Sequence, residues 1–279
     1  MARLTTSDGL SLHYEDAGDP DGQPVLCLAG LTRNARDFDF LVPHLRDCRL
    51  IRMDYRGRGL SDRDADCMNY NIVREAQDAV ELLDHLGLDR VVLIGTSRGG
   101  LIAMALSLSH AERLAGVVLN DIGPEVSAEG IARIMDYVGK TPDLPDLETA
   151  AERLKAVHAG DFPGVPLERW RAQAEAMFEE QTGGGLALRY DPELRRALVG
   201  QAGAGEGPDL WTLFDHLGRT PLAVIRGANS DLLSAATLEK MIARHPGLIA
   251  RTVPDRGHVP FLDEEESLAA IRAVLEQAG

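Results

Sequence analysis

The chain has 279 residues, 44% of them apolar and 26% charged, and its 44 acidic against 29 basic side chains leave a formal net charge of −15. That length suffices for one large domain or for a domain carrying an insertion. The acid excess argues against a nucleic-acid surface, which needs clustered Lys and Arg to neutralise phosphates. No apolar run reaches the length of a bilayer span, and Met1-Ala2-Arg3-Leu4 opens on no signal-peptide core, so the expectation is a cytoplasmic protein without a membrane partner. Cys27, Cys48 and Cys67, an odd number at unrelated spacings, suggest neither a disulfide framework nor a thiolate metal site.

In chain order, Leu4 to Ala17 carries a Ser7-Asp8-Gly9 turn between alternating segments and reads as a hairpin. Pro24 to Leu28 is a short apolar strand that ends in the small-residue turn Ala29-Gly30, and Phe38, Leu41, Val42 and Leu45 then suggest a helix. Leu50 to Met53 is the next strand, Val73 to Leu86 a helix stopped by Gly87, and Val91 to Ile94 a buried strand running into a helix at Leu101 to Leu106. Ala115 to Asn120 is again a buried strand. Strand and helix alternate throughout, which predicts an α/β fold, a mostly parallel twisted sheet with helices on both faces. From Gly123 to about Thr220 the pattern turns to helices alone, at Ala128 to Val138, Leu147 to Ala159, Leu167 to Phe178 and Pro192 to Leu198. Strands return at Pro221 to Arg226 and Ile249 to Val253, with helices at Ala235 to Ala243 and Glu264 to Glu276. The expected organisation is a sheet core from residues 1–122 and 221–279, interrupted by a helical lid over 123–220.

One corner organises the rest. Gly95-Thr96-Ser97-Arg98-Gly99 joins the strand at Val91 to the following helix, and such a Gly-x-Ser-x-Gly corner holds a hydroxyl on a tight turn where small residues let strand and helix approach. The free N–H groups at the helix start lie beside that hydroxyl. The corner resembles the nucleophile elbow of the α/β-hydrolase superfamily, and Asp54-x-Arg56-Gly57-x-Gly59-x-Ser61 matches a mainly structural loop that recurs there. The likeness covers the sheet on both sides of the insertion; the lid is matched only in position and helical character.

A serine needs a base to become a nucleophile, and the base needs an anion to fix its tautomer. In the superfamily the acid and then the histidine follow the serine, at strand ends on one edge of the sheet. Asp231 follows one late strand, and His258, in Asp255-Arg256-Gly257-His258, follows the next. The expected triad is therefore Ser97, Asp231 and His258. Asp121, directly after the strand that ends at Asn120, is the alternative acid, since some relatives carry it there. The resemblance also implies an oxyanion hole made by the backbone N–H groups of Leu31 and Arg98, with Ala29-Gly30 standing where relatives often have His-Gly.

An apolar cavity under the lid would suit uncharged esters with small to medium acyl groups, and Arg33, Ile134, Tyr137, Trp170 and Met177 are the candidate substrate contacts. An inward Arg33 or Arg98 guanidinium would favour a carboxylate-bearing lactone. Apparent fingerprints for dinucleotide, phosphate and calcium each lack a required residue, so no cofactor and no metal are expected. The chain is thus similar to lid-bearing carboxylesterases and enol-lactonases, with a small-molecule ester or lactone as its partner and a monomer or homodimer as its state. Cleavage of a carbon–carbon bond in a diketone, a perhydrolase activity, and a non-catalytic receptor on the same fold are the rival readings.

Overall fold

A computed structural model describes residues 2–202 and 209–279. The predicted first hairpin is β1 (Ala2–Thr5) against β2 (Ser11–Gly18), and β3 (Gln23–Leu28), β4 (Cys48–Met53), β5 (Val91–Thr96) and β6 (Leu114–Asn120) follow. With β9 (Leu222–Gly227) and β10 (Ile249–Val253) they form one eight-stranded sheet in the order β1-β2-β4-β3-β5-β6-β9-β10, antiparallel at β1, β2 and β4 and parallel from β4 onward. Strands β5 and β6 lie in the middle, and their near-continuous runs of Val, Ile and Leu are fully covered, as a strand with helices on both faces requires.

The helices α1 (Ile72–Leu86) and α2 (Arg98–Ser109) cover one face, where Leu82, Leu83, Ile102 and Met104 meet Leu26, Leu93 and Val117. Helix α9 (Glu265–Ala278) covers the other, its Ile271 and Val274 packing on Val92, Val118 and Ile225. Gly87 ends α1 in the left-handed conformation, φ 65°, as its glycine predicts. The helix expected around Phe38 to Leu45 is instead two short 3-10 turns, Ala35–Phe38 and Val42–His44. Pro43 offers no N–H to continue a longer ladder.

Between β6 and β9 lie α3 (Ala128–Tyr137), α4 (Leu147–Val157), α5 (Leu167–Met177), α6 (Leu194–Ala202) and α7 (Leu210–His216). The expectation of helices alone missed a small hairpin, β7 (Phe178–Glu180) with β8 (Leu186–Leu188), closed by a Gly183-Gly184-Gly185 turn. The segment has its own core, in which Phe162, Trp170, Phe178 and Leu186 surround Phe261 of the loop after β10. The expected boundary at 220 also needs correction. Leu213 and Phe214 of α7 belong to the main core, and the carbonyl of Leu213 accepts a hydrogen bond from Ser107 Oγ of α2 at 3.0 Å. Helix α7 therefore packs on α2 as part of the main core; residues 203–208 of the expected lid lie outside the described residues. Helix α8 (Ala235–Arg244) adds Leu238 and Met241 to the same face.

Candidate active site

Ser97 stands between β5 and α2 with φ 50° and ψ −109°, a backbone conformation that costs on the order of 1–3 kcal/mol for a residue with a side chain. Its neighbours make room for it. A Cβ on Gly99 would sit 2.0 Å from the carbonyl oxygen of Leu28, and one on Gly95 would sit 2.5 Å from the backbone of Gly99. Only glycine lets the strand and the helix start pass this closely, so the spacing that singled out the corner reflects a real contact.

His258, in the loop after β10, places Nε2 3.0 Å from Ser97 Oγ. That loop is tied down on both sides. Asn120 Nδ2 donates to the carbonyl of Pro260 at 3.1 Å, and the Glu264 carboxylate at the start of α9 accepts from the backbone N–H groups of Phe261 and Leu262, each at 2.9 Å.

The acid partner is not the one expected. His258 Nδ1 lies 2.7 Å from Oδ2 of Asp121, whereas the carboxylate of Asp231 pairs with Arg133 Nε at 3.1 Å on the rim of the cavity. Strand β6 is the immediate neighbour of β5, so a side chain leaving its end reaches the imidazole above Ser97, while β9 lies one strand further out. A positive φ of 55° turns Asp121 into that position. The loop expected to hold the acid supports it instead: the Gly227 N–H donates to Asp121 Oδ1 at 2.9 Å and the Ser230 hydroxyl to Oδ2 at 2.6 Å. Fully buried, the Asp121 carboxylate has a hydrogen-bond partner in each of Gly227, Ser230 and His258. The signal for it was its position directly after a buried strand beside that of the serine.

Leu31 and Arg98, the expected oxyanion donors, flank Ser97, and their backbone N–H groups donate to no acceptor among the described residues. The Leu31 segment is braced from below, because Ala29 O accepts from Tyr55 Oη at 3.0 Å and from the Gly99 N–H at 3.1 Å. The Arg98 side chain does not enter the cavity. It is buried away from it, donating from Nε to Glu75 at 2.5 Å and from Nη2 to the carbonyl of Tyr70 at 3.1 Å.

A cavity of about 410 Å³ opens above Ser97 and His258 beneath the inserted segment. All five candidate contacts, Arg33, Ile134, Tyr137, Trp170 and Met177, line it. Arg33 Nε donates to both oxygens of Asp37, at 2.8 and 2.9 Å, and Nη2 meets Gln173. Gly30 separates Arg33 from the serine: a Cβ there would lie 3.3 Å from Arg33 Cγ and 4.0 Å from Ser97 Cβ. Missed by the sequence reading was His158, which stacks on Trp170 with ring centroids 5.3 Å apart and whose pKa burial pushes down. Among the described residues no group of three or more His, Cys, Asp or Glu side chains is arranged to hold a metal ion, and no helix is long and apolar enough to cross a membrane.

This fold and this corner define an α/β hydrolase. The profile of the α/β hydrolase fold family matches residues 23–265, and the chain belongs to that family. It is 36% identical over 260 residues to the 3-hydroxybutyrate-oligomer hydrolase of Cupriavidus necator, covering 90% of this chain and 88% of that one. It is 27% identical to the 2-(acetamidomethylene)succinate hydrolase of Mesorhizobium japonicum, covering 98% of this chain and 94% of that one. Among solved structures, an α/β hydrolase from Novosphingobium aromaticivorans superposes with a TM-score of 0.92 at 43% identity, over 99% of this chain and 97% of that one.

Proposed function

We propose that the chain is a carboxylic ester hydrolase acting through an acyl-enzyme, a reading carried by the unbroken hydrogen-bonded line from Ser97 through His258 to Asp121. Ser97 Oγ attacks the ester carbonyl while its proton passes to His258 Nε2, and Asp121 holds Nδ1–H and offsets the charge of the imidazolium. The carbonyl oxygen, now negative, receives the N–H groups of Leu31 and Arg98. His258 returns the proton to the departing alkoxide, then takes one from a water whose oxygen attacks the acyl-enzyme, and the acid leaves as Ser97 is reprotonated.

The substrate is an ester or lactone of small to medium size that bears a carboxylate. The cavity volume admits such a molecule, and Arg33 lines the cavity across Gly30 from the serine. Nε and Nη2 of Arg33 are engaged by Asp37 and Gln173, which leaves Nη1 to receive an anion. Two whole-length relatives agree in kind, one named for oligomers of a hydroxy acid, which are ester chains ending in a carboxylate, the other for a succinate derivative.

The experiment is a panel of p-nitrophenyl esters, lactones and diketones, each neutral or carboxylate-bearing, run on wild type, Ser97→Ala and Arg33→Ala. Ester turnover that disappears in Ser97→Ala, with a preference for the anionic members that disappears in Arg33→Ala, is expected. Full activity in Ser97→Ala, or turnover of diketones only, contradicts the reading. An anionic preference that survives in Arg33→Ala contradicts the role given to Arg33.

A further inference from the structure

Behind the two oxyanion-donor segments, on the side away from the cavity, lies a buried cluster of three charged residues. Glu75, in the first turn of α1, has no exposed surface, and Arg58 and Arg98 are almost as fully enclosed. Arg98 Nε donates to Glu75 Oε2 at 2.5 Å, and Arg58 Nη1 stands 2.9 Å from Oε1. Arg58 then reaches the other segment, its Nε donating to the carbonyl of Leu31 at 3.1 Å. Glu75 thus hydrogen-bonds the residue that follows the nucleophile and faces Arg58, which holds the second amide's loop, as an ion pair. Arg58 Nη1 donates to the carbonyl of Arg56 at 2.7 Å, and Oε1 of Glu75 has no hydrogen-bond partner among the described residues.

The cluster is not neutral. Two guanidinium groups share one carboxylate, and Arg58 Nη2 has no acceptor among the described residues. Burial pushes the Arg58 pKa down, with Glu75 acting against it. The Tyr55 and Tyr70 rings lie 5.6 and 5.2 Å from the Arg58 guanidinium carbon and offer it only their faces. The Tyr70 hydroxyl donates to Asp191 at 2.6 Å, so that carboxylate is engaged by Tyr70. Leaving an excess of positive charge in the interior is costly for folding alone, and it has a use where the arginines hold the two segments that present N–H groups to a forming oxyanion.

We propose that Arg58, Glu75 and Arg98 are positioning residues of the oxyanion hole: Glu75 locks the two arginines so that the Leu31 and Arg98 amides stay at a fixed separation, and the surplus positive charge favours the oxyanion over the neutral ester. The inference rests on Ser97 being the nucleophile. It predicts that the cluster matters more to the tetrahedral adduct than to substrate binding.

The test compares wild type with Arg98→Lys, Arg98→Met, Arg58→Met and Glu75→Gln. For each variant that folds by circular dichroism, kcat and KM are measured for one p-nitrophenyl ester, together with the inhibition constant of an alkyl trifluoromethyl ketone. Addition of Ser97 Oγ to that ketone forms a C–O bond, puts the carbonyl electron pair on oxygen and sends the serine proton to His258, so the inhibitor reports the oxyanion directly. Arg98→Met is expected to lower kcat about 10- to 100-fold and to weaken the ketone by the same factor with KM nearly unchanged, somewhat less than the loss of a direct oxyanion donor. Arg98→Lys, which keeps the charge and is the variant least able to unfold the protein, recovers most of both. Overturning results are ketone affinity and kcat that stay at the wild-type level in the arginine variants, or losses that fall on KM alone. A wild-type protein that neither turns over esters nor forms the ketone adduct removes the functional reading, and this inference with it. A wild-type adduct with variants of undiminished affinity removes this inference alone.

Discussion

The imidazole of His258 and the carboxylate of Asp121 lie 2.7 Å apart although 137 positions separate them in the chain. Asp121 leaves the end of β6, His258 hangs from the loop after β10, and the sheet order brings both over Ser97. The contact selects Asp121, the alternative acid of the sequence analysis, over Asp231, the expected one.

Replacing each in turn should therefore give opposite results. Asp121→Asn leaves the shape but supports the wrong histidine tautomer, and kcat for an ester should fall about 10⁴-fold. Asp231→Asn breaks only a partly exposed pair with Arg133, an interaction worth at most about 1 kcal/mol, so its effect on kcat/KM should stay below roughly tenfold. Steady-state kinetics on the two purified variants distinguish them.

Ser230 should register in both stability and rate. Its hydroxyl donates to Asp121 and accepts from the backbone N–H groups of Leu232 and Leu233 at 3.2 and 3.1 Å. Ser230→Ala removes a hydrogen bond to a buried anion together with a turn cap, a loss of about 2 kcal/mol by urea unfolding. The activity of Ser230→Ala should fall as well, by less than that of Asp121→Asn, because Gly227 still holds the other oxygen.

The corner should accept no side chain at position 99. In Gly99→Ala the new methyl would sit 2.0 Å from backbone, where no flexible group can yield, so strand and helix must separate at a cost of about 3 kcal/mol or more. The expected outcome is a large drop in Tm with ester turnover abolished. Gly160→Ala, where a Cβ would meet nothing within 4 Å, is the control.

The legible part of the architecture was the part written in local pattern. Buried strands beside helices of period 3.6 announced the sheet, and Gly95 and Gly99 announced the tight corner, because both depend on residues close together in sequence. The acid is not written in local pattern. Asp121 and Asp231 both follow apolar strands, and only the spatial order of β5, β6 and β9 decides which one reaches the histidine. Residues 210–216 fall in the expected lid range for the same reason, since nothing local to Leu213 and Phe214 says which core they join. The direction of the Arg98 guanidinium, which the sequence analysis leaves open, is set by the buried Glu75, 23 positions earlier in the chain.

His158 gives the account a pH signature. Burial against Trp170 lowers its pKa below the ordinary 6.5, so that below that value the unfolded chain takes up a proton which the folded chain refuses. Stability then falls as pH falls from about 6.5, since the unfolded state binds more protons. The loss is complete once the pH has dropped past the lowered folded value. His158→Phe keeps the stacking and removes the titration, and Tm measured between pH 7.5 and 5 should decline less steeply in the variant than in wild type.

The most direct test is the rate at which a fluorophosphonate labels the protein, followed by intact mass and by mapping of the modified peptide. One adduct is expected, on Ser97, formed rapidly in wild type and in Asp231→Asn and orders of magnitude more slowly in Asp121→Asn. An unlabelled wild-type protein, or one in which Asp231→Asn rather than Asp121→Asn abolishes labelling, would contradict it.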